Sequence, residues 1–372
     1  MSAFIVLFLL ALALFILPLL PAIWELLHKT DATPLSVTRN HNQDIRHFAR
    51  EFYHDIVSGI GRLTLIRSPE QTTQHGRLDD GSRFQVVGFR SLPLMTRREK
   101  ANATSDSQIL SAATLTLTPG VSYSKAIYSE GNIRGGPSAR YFALLGREDI
   151  WLGRNSVITD WAQARSNFVV GPHSQILGRI AAGGSIEIGS GSHFKRAQAP
   201  RIRLGPPIEP GATTQIPARQ PLILEGATNS DGGRMLFDGD LRIPPGAEVV
   251  TDLVVRGNVY IGANARIVGA LKAHGTVTLE TRAIVEGSVV SPDLIVFGEF
   301  CTARGPLIGE KKIYLAKGTQ IGSLELPTTI TAPTIVAEPG VITHGTLWAR
   351  LDGEVLDIAA PYQLATNKNI DN

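Results

Sequence analysis

Apolar and polar positions along the chain fall into three regimes. From Ala3 to Trp24 no side chain is charged, and most residues are Leu, Ile, Ala, Phe or Val. A stretch of that length, at about 1.5 Å per residue, crosses a bilayer core of about 30 Å. Trp24 stands where an amphipathic ring favours the interface, ahead of Glu25, His28 and Lys29. A cleaved signal peptide would need a positive leading region and small residues before a cleavage site, and neither is present. The pattern predicts a transmembrane helix, with residues 1–28 as anchor. Lys29, Arg39, Arg46 and Arg50 follow the span and no basic side chain precedes it. The positive-inside rule therefore places the body in the cytoplasm, with a periplasmic body as the alternative.

A juxtamembrane region, 29–112, comes next. Ile45, Phe48, Phe52 and Ile56 share one face at helical spacing, which predicts a short helix over 41–56 packed on the body. Residues 66–112 are polar and irregular, with one strand expected near Phe84–Phe89.

The remainder is a repeat. Leu241, Val259, Val277, Ile295 and Ile313 stand 18 residues apart, and so do Ile243, Ile261, Leu279, Phe297 and Leu315. A third column holds Ala247, Ala265, Ala283, Cys301 and Thr319; a fourth holds Val249, Ile267, Val285, Ala303 and Ile321. A turn column follows at Thr251, Gly269, Gly287, Gly305 and Ser323, then Leu253, Leu271, Val289 and Leu307. Inward pairs two apart are strands, and three strands per rung make a triangular coil that buries its apolar edges only by stacking. Fainter pairs at Leu115/Leu117, Ile150/Leu152, Phe168/Val170, Ile186/Ile188, Ile202/Leu204 and Leu222/Leu224 extend the series backwards, and Thr334/Val336 extends it forwards. The expectation is an all-β solenoid of twelve or thirteen rungs over 115–345: irregular rungs at 113–235, regular ones at 236–348, and a tail at 349–372.

The segments Leu241–Leu271 and Val277–Val289 resemble the bactofilins, the polymer-forming cytoskeletal family, and the resemblance covers about 235–325. It implies a right-handed β-helix that stacks end to end, often at a membrane. It leaves the span and residues 28–112 unaccounted for, and the added rungs depart from the family's shorter helix. The local rival is a hexapeptide-repeat acyltransferase, which Ile261-Gly-Ala-Asn-Ala265 fits. That family wants a small residue four after each aliphatic one on every face, and Leu253, Leu271 and Leu307 break the rule.

Composition agrees with a narrow apolar coil. Glycine is 37 of 372 residues, aromatics only 6% and charged residues 19%, while 43% hydrophobic content is too high for disorder. One cysteine excludes a disulfide framework and a cysteine zinc cluster. A net charge of +3 makes no case for nucleic acid. His173, His193, His274 and His344, candidate general bases for an acyltransferase, fall near corners without a spacing that pairs them. Cys301 falls in the small-residue column and reads as a buried hydrophobe. Gly135-Gly136 and Gly183-Gly184 lack the strand-to-helix setting of a phosphate loop. Arg256, Arg266, Lys272, Arg282 and Glu286 read as a solvated face, Trp151 and Trp161 as a lateral patch or as packing, and Asn102–Thr104 as a sequon by letter only. No catalytic, cofactor-binding or metal residue is assigned, and no cofactor is expected. The expected function is a non-enzymatic scaffold anchored in a bacterial inner membrane. It would self-associate through solenoid ends or sides and organise envelope or exopolysaccharide machinery. The alternatives are an acyltransferase acting on an envelope glycan and a periplasmic glycan-binding solenoid.

Overall fold

The structure, a computed structural model, describes residues 47–60, 74–77, 81–87, 104–208, 219–224, 228–230 and 234–357, all in one compact unit beginning at Ile45. The anchor expected over 1–28 lies outside the described residues. Among the described residues no helix is long and apolar enough to cross a membrane.

The body is a β-solenoid of about 13 coils. In its regular part the predicted columns are the hydrogen-bonded ladders: Leu241 pairs with Val259, Val259 with Val277, Val277 with Ile295, and Ile295 with Ile313. Their side chains, and those of the Val249/Ile267/Val285 column, are buried in one continuous core. At the usual strand spacing of 4.7–4.9 Å, such a stack is about 60 Å long.

The coils do not form a single run. Arg83–Val87 opens a first run that ends with His193–Leu204; a second, beginning at Gln220–Pro221, ends with Val341–Val355. These two final strands pair antiparallel along their whole length: His193 with Glu354, Ala197 with Leu347, and Leu204 with Val341. The trace through Ile202, Leu222 and Leu241 as successive rungs is thereby corrected. Residues 220–222 stack on Ala247 and Glu248 at the far end of the second run, through the amides of Gln220 and Leu222. Both carboxyl-terminal edges close on each other, and antiparallel pairing of two such coils requires that both runs wind with the same hand.

We call the three sides of the rod faces A, B and C, which carry 193–194, 196–199 and 201–204 of the first run. Opposite them lie 353–354, 345–348 and 341–343 of the second. Each outer end carries a hairpin on face B. Gln74–Arg77 pairs with Arg83–Val87, which stacks on Gln108–Ser111; Thr228–Ser230 pairs with Arg234–Phe237, which stacks on Asp252–Val255. Corner side chains bond from rung to rung just after face B in both runs: Asn132–Asp149–Asn167–Ser185 in the first, Asp240–Asn258–Thr276–Asp293 in the second. The runs are thus related by a pseudo-two-fold axis through face B at the junction.

Several boundaries differ from expectation. The stack begins at Arg83–Val87, inside the region taken as juxtamembrane, and its last strand continues past 348 to Val355. At the far end Ile313 pairs with Ile335, so Ile335 and Ala337 point inward, not Thr334 and Val336. The loop at 322–327 adds one more residue than the sequence spacing implies, and a one-residue slip exchanges the two sides of a strand. The expected helix is α1, His47–Ile60. It covers the outer side of face B in the first run, where Ala49, Phe52 and Tyr53 meet Leu110, Tyr128, Leu145 and Trp161.

Candidate functional site

The described residues form a groove where α1 overhangs the corner between faces B and C. The chain turns there at 112–114, 130–131, 147–148 and 165–166 on successive rungs, tied by Glu130 N–H to Ser111 O, Arg147 N–H to Ser129 O, and Arg165 N–H to Gly146 O. Two adjoining depressions of about 490 and 400 Å³ share Glu130 and Glu148. Tyr53, Tyr128, Arg147, Arg165 and Ser166 line the first, and Ala112, Ala113, Thr114 and Gly131 line the second. The Tyr53 and Tyr128 rings stand 6.0 Å apart, and the Arg147 guanidinium lies 5.0 Å from the Tyr53 ring. Burial, reinforced by Glu130 and Tyr53, pushes the Tyr128 phenol up to about 12, so it stays neutral.

The charges here are arranged unlike those elsewhere on the rod. Arg147 and Arg165 are ladder neighbours one rung apart, with Glu130 on the other side of Arg147 in the same column and Glu148 in the adjoining column, level with Gly131 and Ser166. Among the described residues Glu130, Glu148 and Arg165 form no ion pair. By contrast, Arg266 holds Glu248 at 3.1 Å and Glu286 at 2.8 Å, Arg304 holds Glu286 at 3.0 Å, and Lys317 holds Glu299 at 2.9 Å.

The histidines have other places. His173 sits at a left-handed corner (φ 56°) with Nε2 3.7 Å from Asp357; His193 Nδ1 lies 3.2 Å from Asp352. His344 Nδ1 lies 2.8 Å from Pro200 O. All three contacts bridge the two runs at their junction, whereas His274 is an exposed corner residue. Cys301 is fully buried, its thiol donating to Glu280 O at 2.9 Å, and burial pushes that thiol up to about 12.

Trp161 is no surface patch: it is buried edge-on against Phe52 at 5.5 Å. Trp151 is half-buried beside the Arg134 guanidinium. Gly183 and Gly184 turn between two strands with no helix following. Arg256 pairs with Asp238, Arg282 lies against the Phe300 ring, and Lys272 is exposed on face B. Thr104 of the sequon is in a strand; Asn102 lies outside the described residues. No group of three metal-ligating side chains converges among the described residues. Sequence reading passed over the groove: the 18-residue step marks Arg147 and Arg165, but Glu130 meets Arg147 across a rung of 17 residues that the regular spacing does not show.

Compared with known proteins, the chain matches no family model, no curated protein and no solved structure.

Proposed function

We propose that the protein is a non-enzymatic scaffold, anchored in a bacterial inner membrane by the span at 3–24, whose solenoid gives a rigid platform for envelope or exopolysaccharide machinery. The observation that carries this reading is the rod itself, coils joined mostly by short corners with both carboxyl-terminal edges consumed internally. Further support comes from the histidines, three of which are engaged at the junction instead of facing a groove. Closed edges leave the outer ends and lateral faces for contacts with other proteins; head-to-tail growth of the bactofilin kind has no free acceptor edge. Proximity labelling from the full-length protein in its host tests the reading. Enrichment of envelope-glycan enzymes, with no acyl-CoA turnover by the purified chain, is expected. Acyl-CoA turnover would replace the scaffold by the acyltransferase reading, and labelling of unrelated proteins alone would end the proposal.

A further inference from the structure

We infer that the groove between α1 and the B–C corner binds an anionic sugar, a pyranose unit carrying a carboxylate or a phosphate. Like charges on neighbouring strands, about 4.8 Å apart, destabilise a sheet. This chain avoids that cost at Arg266 and at Lys317 by placing an opposite charge one rung away. In the groove it instead leaves Arg165 directly beside Arg147, with Glu130 at the other side of Arg147 and Glu148 in the adjoining column, and none of these carboxylates closes an ion pair with either guanidinium. Two guanidiniums one rung apart suit the oxygens of a carboxylate or phosphate, which Arg binds through paired N–H groups. Two carboxylates, with Thr114 and Ser166, offer acceptors for a ring of hydroxyls. Tyr53 and Tyr128 form an aromatic wall against which the apolar face of a pyranose packs.

The combination selects the ligand class. A bare anion meets the arginines but is repelled by the glutamates, and a neutral sugar satisfies the glutamates but leaves the guanidiniums unpaired. An anionic sugar answers both sets of charges at once. A uronate within an exported polymer and a sugar phosphate used as a cytoplasmic precursor share that chemistry, so the experiment must separate them.

The test is isothermal titration of the full-length protein in detergent micelles against four probes: an oligogalacturonate, glucose 1-phosphate, a neutral oligosaccharide and inorganic phosphate. One of the two anionic sugars should bind at least about tenfold more tightly than the neutral sugar and the free phosphate. The one that binds identifies the source. Arg165→Gln should weaken that binding about tenfold and Glu148→Gln several-fold, since both side chains are exposed and outside the α1 contact. Arg304→Gln, in the second run and outside the groove, should bind as wild type, and unchanged melting curves would show that the folds are intact. Failure of both anionic sugars, free phosphate binding as tightly as either, or an R165Q protein binding like wild type would each overturn the inference. The readout involves no partner protein, so it stands or falls separately from the scaffold proposal.

Discussion

Most of the described coils turn one corner through a residue in the left-handed backbone region. Gly120, Ser138, Asn155, His173 and Gly191 do so in the first run, and Gly246, Asn264, Arg282, Phe300 and Gly318 in the second. A residue with a Cβ gives up about 1–2 kcal/mol there, so glycine is favoured but not obligatory, and mid-run corners spend the difference on side-chain contacts. Gly318 has no such freedom, because a Cβ would run into the Phe300 ring of the preceding rung. Gly318→Ala is expected to lower unfolding free energy by about 1–3 kcal/mol in urea titration, whereas Arg282→Gly should be close to neutral. Cys301 gives a second expectation. Its thiol is held above the ordinary 9.0, so the unfolded chain loses this proton first as pH rises. Stability from this residue is therefore complete below pH 9 and declines above it, and Cys301→Ala should flatten that alkaline decline. Iodoacetamide should label Cys301 in denaturant and spare it in the native protein. Legibility at this scale depended on what fills the inward positions. Ile133 has Gly135 as its partner two residues on, so no apolar pair marks that rung. That position is filled from the neighbouring rung, by the Tyr141 hydroxyl and the Leu152 side chain. Nothing in the local spacing marks a residue whose space is occupied by another rung.

Among elements, the second run was the readable one because each rung keeps three separate strands with two-residue alternation. In the first run faces A and B are joined in single strands, Ser122–Ser129, Val157–Ala164 and Gln175–Ala182, each interrupted by a shift of register. Their inward residues include Tyr123, Tyr141 and Phe194 alongside Ser111 and Ser129. Mixed sizes with one skipped residue dissolve the period, so only the face C pairs stood out. For α1, periodicity gave the helix but not the surface it covers, since Leu110, Tyr128, Leu145 and Trp161 come from separate rungs. Trp161 is the central contact. Trp161→Ala removes a buried ring, a change that costs about 3–5 kcal/mol in cores, but here the loss should fall on α1 alone. Hydrogen exchange should show amides of 47–60 losing protection while those of Phe168–Val170 and Ser185–Ile188 keep theirs. Unchanged exchange in α1 would mean that its docking does not depend on this ring.

At the scale of the whole molecule the decisive feature is where two solenoids meet. Ladder periodicity describes parallel rungs and says nothing about two edges that meet antiparallel. The sequence therefore reads as one long run, with an irregular passage where the chain crosses to the far end of the rod. The junction makes a sharp prediction. Leu347 is fully buried opposite Ala197, with Ile202, Leu204 and Val341 in the same core. Leu347→Glu places a carboxylate where no partner faces it, a change that opens the contact sooner than it disrupts the rungs on either side. Opening exposes two complete strand edges, each with unpaired N–H and C=O groups, and such edges recruit further edges. Wild-type protein should keep one mass by light scattering as its concentration rises, with rods of about 60 Å in negative stain. The L347E protein should retain its β-sheet circular dichroism and associate as concentration rises, its ends now free to pair between molecules. Retained sheet with a constant mass would show that the edges are protected by something other than each other. Loss of the sheet signal altogether would show that the two runs do not stand without the contact between them.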